Sequence, residues 1–144
     1  MDAALWSPAR LVTLVCALPL LTACGGGEQR AGVCSNEGGA LSRSAFVFVQ
    51  APRSGERVSS GFRVTGCSST FEATVNWRLR AMDGRALASG FTQGGGLEPG
   101  PFAFPVKYAV AQREVAHLEV VGARGSTEEG FPPPRDVVPL VLQP

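Results

Sequence analysis

From about Ala45 onward, hydrophobic and polar residues alternate with a period of two, the pattern of half-buried strands rather than of helices. The longest run is Phe71 to Ala81, where Phe71, Ala73, Val75, Trp77, Leu79 and Ala81 alternate with Glu72, Thr74, Asn76, Arg78 and Arg80. Pro101 to Val110 repeats the pattern, with Phe102, Phe104, Val106, Tyr108 and Val110 on one face. Val115 to Ala123 turns Ala116, Leu118 and Val120 inward; Phe62 to Gly66 turns Phe62 and Val64 inward against Arg63 and Thr65. Phe46 to Gln50, Leu87 to Thr92 and Val137 to Leu142 are shorter candidates. About seven strands separated by Gly and Pro turns within about 100 residues predict an all-β fold, an antiparallel β-sandwich.

The turn after the longest run sets a register. A two-residue Asp83-Gly84 loop would turn Leu87 and Phe91 outward beside Arg80 and Asn76, wasting the apolar face. A three-residue loop, Met82-Asp83-Gly84, with Gly84 left-handed and a bulge, instead pairs Ala81 with Arg85, Leu79 with Leu87 and Val75 with Phe91. Pro139 has no N–H for a ladder, so the last strand is expected at an edge, or with Pro139 turned away from its neighbour. Pro132-Pro133-Pro134 leads into it as an extended polyproline segment. Gly94-Gly95-Gly96 is followed by no Lys-Ser/Thr pair and no helix to receive phosphate, so it reads as a mobile loop.

Composition narrows the function classes. A chain of 144 residues suits one domain. Thirteen Lys+Arg against twelve Asp+Glu leave +1, too little for nonspecific binding to nucleic acid. Leu11 to Ala23 is an apolar stretch after Arg10 and before Gly25-Gly26-Gly27. It suits the core of a secretory signal better than a span, which needs about 20 residues. It ends in Leu21-Thr22-Ala23-Cys24, which resembles the lipobox of bacterial lipoproteins. That resemblance implies cleavage before Cys24, attachment of palmitate-type acyl chains to it, and durable membrane anchoring outside the cytosol. The expected organisation is a signal peptide over 1–23, a lipidated Cys and tether over 24–44, and a β-sandwich over 45–144. Six Gly between Gly25 and Ser44 make the tether flexible, with a root-mean-square span of about 25 Å.

Four cysteines then sort themselves. Cys16 leaves with the signal and Cys24 is acylated, so Cys34 and Cys67 remain as a candidate disulfide in an oxidising compartment. Two Cys and one His do not make a four-ligand zinc site, and no metal or cofactor is expected. His117, the single histidine, shares an outward strand face with Glu119 and reads as a surface residue rather than a general base. Glu72 reads as a solvated or backbone-bonded carboxylate. Arg63, Arg78 and Arg80 all project away from the core; neighbouring strands would make them a phosphate-binding patch, and otherwise they are a solvated face. Trp77 is placed as a core anchor, leaving few aromatics for stacking on sugars.

The order of several short motifs adds a family. Val49-Gln50-Ala51-Pro52, Gly55, Val58 to Ser60, Val64-Thr65-Gly66, Phe71-Glu72-Ala73-Thr74-Val75, Asp83-Gly84 and Gly100-Pro101-Phe102 resemble the immunoglobulin-like domain of bacterial spore-germination proteins. The resemblance runs from about Ala45 to Pro144. Gly61 stands where the family tends to have Pro, Arg124-Gly125 where a Gly follows an acidic residue, and Cys67 where a small residue is usual. It implies an immunoglobulin-like sandwich serving as an accessory module without catalytic residues. No germination role is carried over, because the germination partner domain that often accompanies the module is missing from this sequence.

The expected function is therefore that of a noncatalytic cell-envelope lipoprotein. Its membrane contact is the lipid on Cys24, and its domain meets a protein or cell-wall partner through sheet edges and loops. The rival reading is a small-ligand or glycan-binding envelope lipoprotein, which needs a concave aromatic or charged pocket, for example Arg63, Arg78 and Arg80 clustered around a cleft.

Overall fold

The computed structural model describes Cys34, residues 45–123 and residues 132–144. The expected signal peptide, the lipidation at Cys24 and the tether around Cys34 lie outside those residues. The described chain forms eight strands: β1 (Phe46–Ala51), β2 (Arg57–Val58), β3 (Phe62–Ser69), β4 (Thr74–Ala81), β5 (Ala86–Gln93), β6 (Gly100–Val106), β7 (Glu114–Gly122) and β8 (Arg135–Leu142). They build a sandwich from a three-stranded sheet, β1-β3-β6, and a five-stranded sheet, β2-β8-β7-β4-β5. All pairs are antiparallel except β2 with β8. The all-β sandwich expected from the alternation is the fold observed.

Alternation places the core as read. Val64, Val75, Leu79, Ala116, Leu118 and Val120 are fully buried between the sheets, together with Val106, Leu140 and Leu142. Trp77 reaches across from β4 and stacks on Phe104 of β6, ring centroids 4.9 Å apart at 8°. An offset aromatic stack of this kind fastens one sheet to the other beyond the area it buries.

Four details differ from the sequence reading. The run from Phe71 does not start as a strand: Phe71–Ala73 is a single 3-10 turn, with Glu72 and Ala73 at φ 53° and 56°, and β4 begins at Thr74. Phe71 is consequently exposed. The strand β6 ends at Val106, although inward-outward alternation persists through Val110. The two-residue β2 has too little sequence to show a period. Gly94-Gly95-Gly96 is tied down rather than mobile: Gly94 N–H donates to the Ala73 carbonyl, Gly95 N–H to Ser68 Oγ, and Ser69 Oγ–H to the Gly96 carbonyl, at 2.8, 3.1 and 2.9 Å.

The hairpin register is right at the turn and shifted beyond it. Gly84 is left-handed (φ 88°), and Ala81 N–H donates to the Arg85 carbonyl, as the three-residue loop requires. A bulge then sets Leu79 opposite Ala88 and Val75 opposite Thr92, so Phe91 faces Asn76 and is 71% exposed. Trp77 supplies the reason. The observed register puts Gly90 opposite it, and a Cβ at Gly90 would come within 2.7 Å of the indole. The expected register would have put Ser89 there. Both Leu87 and Ala88 still pack against the core at the bulge.

Pro139 lies within the sheet, not at an edge, and its alternative placement holds. Its carbonyl accepts from Gly55 N–H at 2.8 Å, on the side of β8 away from β7. A strand residue directs its N and C=O to the same side. The missing donor therefore points to the turn ahead of β2, where no ladder bond is due.

Candidate functional site

The outward face of the five-stranded sheet is built from alternate residues of its five strands. Cross-strand register lays them in rows: Ser89, Arg78, Glu119 and Val137; Ala86, Arg80, His117 and Pro139; then Val115, Val141 and Arg57. Glu119 accepts from Arg78 Nε at 3.2 Å, and Arg135 Nη1 lies 3.9 Å from its other oxygen. Val115 and Val137 are 45% and 44% exposed. The face thus mixes exposed β-branched side chains with Arg57, Arg78, Arg80 and Arg135 around a single carboxylate, Glu119. His117 sits on this outward face, between Arg80 and Pro139.

Arg63 is elsewhere. It projects from β3, in the three-stranded sheet, on the opposite side of the sandwich from Arg78 and Arg80. The structure therefore brings two of the three candidate arginines together and separates the third by the thickness of the core. The cleft that a small-ligand reading asked of Arg63, Arg78 and Arg80 is not formed. Sequence alternation gives outward or inward for a residue; it does not say to which sheet a strand belongs.

Cys34 and Cys67 are bridged, with Cα atoms 5.5 Å apart. Cys67 lies on the outward side of β3 yet is buried, as is Cys34, to which it is bonded. A groove of about 470 Å³ runs along the nearby seam between β1 and β8, lined by Phe48, Pro52, Arg53, Asp136 and Val137 among others. In it Asp136 Oδ2 accepts from Val49 N–H at 2.8 Å, tying the β1 edge to the other sheet.

Two side chains have roles that their sequence positions did not disclose. Tyr108 donates its hydroxyl hydrogen to the Val58 carbonyl at 2.6 Å and accepts from Gln143 N–H at 3.1 Å, joining the ends of β2 and β8 to the chain leaving β6. Its backbone exchanges hydrogen bonds with Ser60 Oγ, at 2.7 and 2.9 Å. In the sequence Tyr108 differed from its neighbours only as the single tyrosine, and nothing local pointed to residues 58 and 143. At the β4–β5 turn, Arg85 pairs with Asp83 at 2.7 Å and Glu114 at 3.0 Å. The Arg85 hydrogen bonds hold the Asp83 carboxyl below its ordinary range, and Asp83 in turn raises Arg85. Among the described residues, no group of three or more His, Cys, Asp or Glu converges as a metal site.

A family model described as the immunoglobulin-like domain of bacterial spore germination matches residues 46–126. The chain belongs to that family. The match spans β1 through β7, so the immunoglobulin-like domain includes the Trp77–Phe104 stack, the β4–β5 hairpin and most of the arginine-bearing face. No curated protein matches the chain. Membership in a family of immunoglobulin-like domains suggests a noncatalytic accessory module, in keeping with side chains that mostly tie strands to one another.

Proposed function

We propose that this protein is a noncatalytic accessory lipoprotein of the cell envelope. A lipid on Cys24 holds it outside the cytosol, and the immunoglobulin-like domain binds a protein or cell-wall partner. The observation that carries the binding role is the outward face of the five-stranded sheet, where Val115 and Val137 stand exposed among Arg57, Arg80 and Arg135. Exposed apolar side chains interleaved with guanidinium groups suit a partner surface that is itself partly apolar and carries carboxylate or phosphate. The lipobox-like Leu21-Thr22-Ala23-Cys24 supports the anchor and the extracytoplasmic location, as does the pairing of Cys34 with Cys67.

Affinity capture from envelope membranes tests the reading, using the full chain, a Cys24→Ala form and an Arg80→Glu/Val137→Glu form with an unchanged thermal melt. The expected result is a specific partner recovered by the full chain and lost by the face variant, with mass spectrometry finding acyl chains on Cys24. Recovery of the same partner by the face variant, or of no specific partner by any form, would overturn the binding role. An unacylated Cys24 would overturn the anchor.

A further inference from the structure

A sandwich of two open sheets has four edge strands, and three of them here are blunted. On β6 the Ala103 carbonyl accepts from Thr92 Oγ1 at 3.4 Å, on the side away from β3. Residues two apart in a strand direct their backbone groups to the same side. Pro101 and Pro105 therefore occupy the other outward-facing positions of that edge, and neither has an N–H. On β1 the outward Val49 N–H is taken by Asp136. The strand β2 is two residues long. These are the usual ways of denying an edge to another chain.

The fourth edge, β5, has no such protection in its straight part. Gly94 N–H donates to the Ala73 carbonyl, toward β4, so by the same parity Gly90 and Thr92 face β4 while Ser89, Phe91 and Gln93 direct N–H and C=O outward. From Ser89 to Gln93 there is no Pro and no charge, and the one bulge lies before it, where Leu87 and Ala88 meet Leu79 and Arg80. At the centre stands Phe91, 71% exposed on the outer face.

We propose that two copies of this chain pair β5 with β5, antiparallel, about a two-fold axis at Phe91, joining their five-stranded sheets into one. A second copy fits as the occupant because the stretch, uncharged and without Pro, is its own complement when paired antiparallel. The outward groups lie symmetrically about Phe91, so in this register Phe91 exchanges both hydrogen bonds with Phe91 of the second copy, and Ser89 exchanges both with Gln93. Every exposed donor and acceptor from Ser89 to Gln93 is used. Directly opposed residues of a hydrogen-bonded antiparallel pair have Cα atoms about 5.5 Å apart, which sets the two Phe91 rings side by side. No like charges are opposed in this stretch. One strand pair buries less than a standard interface of about 1,600 Å², so the dimer is weak and concentration-dependent. The interface does not involve the residues assigned to partner binding above.

Sedimentation equilibrium of the full chain, in detergent with micelles in excess, reads the association directly. Amide exchange at Ser89, Phe91 and Gln93 locates it. The expected result is a reversible monomer–dimer equilibrium in which these three amides slow with rising concentration while those of Gly90 and Thr92, already bonded to β4, do not change. Phe91→Lys, exposed and therefore compatible with the fold, should weaken dimerisation at least tenfold. Phe48→Lys, at a phenylalanine 55% exposed on the other sheet, should leave it unchanged. A chain monomeric up to about 1 mM, a dimer that survives Phe91→Lys, or one that Phe48→Lys abolishes equally, would overturn the proposal.

Discussion

Tyr108 joins three chain ends with one hydroxyl. It sits beyond the last hydrogen-bonded residue of β6, yet it stays on the inward side of the alternation and packs on Phe62, ring centroids 6.1 Å apart. Removing its hydroxyl leaves the Val58 carbonyl and the Gln143 N–H with one partner fewer in a partly buried place. Tyr108→Phe is expected to cost about 1 to 2 kcal/mol, read as a lower urea midpoint at unchanged slope. Two glycines act at the same scale. A Cβ on Gly66 would collide with the Phe48 carbonyl and the Phe102 ring, just as one on Gly90 would meet Trp77. Which side chains face inward was legible from the alternation; the partners of Tyr108 were not, since residues 58 and 143 lie far away along the chain.

Among the elements, the β4–β5 hairpin shows how far local rules reach. Turn chemistry at Asp83 and Gly84 sets the loop length, because only a left-handed residue closes it with this geometry. Beyond the turn, packing takes over: a bulge slips the register by one residue so that Gly90, not Ser89, lies under the indole. Phe91 is thereby turned outward, against the hydrophobic pattern. The turn also carries a pH dependence. Asp83 is more acidic folded than unfolded because Arg85 bonds its charged form, so its stabilising contribution is present above the usual carboxylate range of about 4 and is lost as pH falls through the lowered folded value. A carboxyl titration followed by NMR should find Asp83 below that range in the parent and moved back towards it in Arg85→Ala, which removes the guanidinium but keeps the backbone N–H bond to Asp83. The effect should shrink in high salt, since the pair is exposed.

For the whole molecule, the bridge between Cys34 and Cys67 ties Cys34, which precedes the sandwich in sequence, to the outer side of β3. Its loop, with a sequence separation of 33, restricts the unfolded chain by about 3 to 4 kcal/mol in the loop-entropy account. Cys34→Ala and Cys67→Ala should each lose a similar amount, and reductant should bring the parent to the same denaturation midpoint while leaving both variants unmoved. By itself, the sequence determined the strand-rich character and most of the inward faces, and it made Cys34 and Cys67 the candidate pair. Alternation is written in neighbouring residues, and thiols can be counted. Tertiary structure decided which strands share a sheet, which edges remain open, and that Arg63 lies across the core from Arg78 and Arg80. Those outcomes depend on pairings between distant segments and on how the Trp77 and Phe102 rings fit over glycine, and no local pattern carries that information.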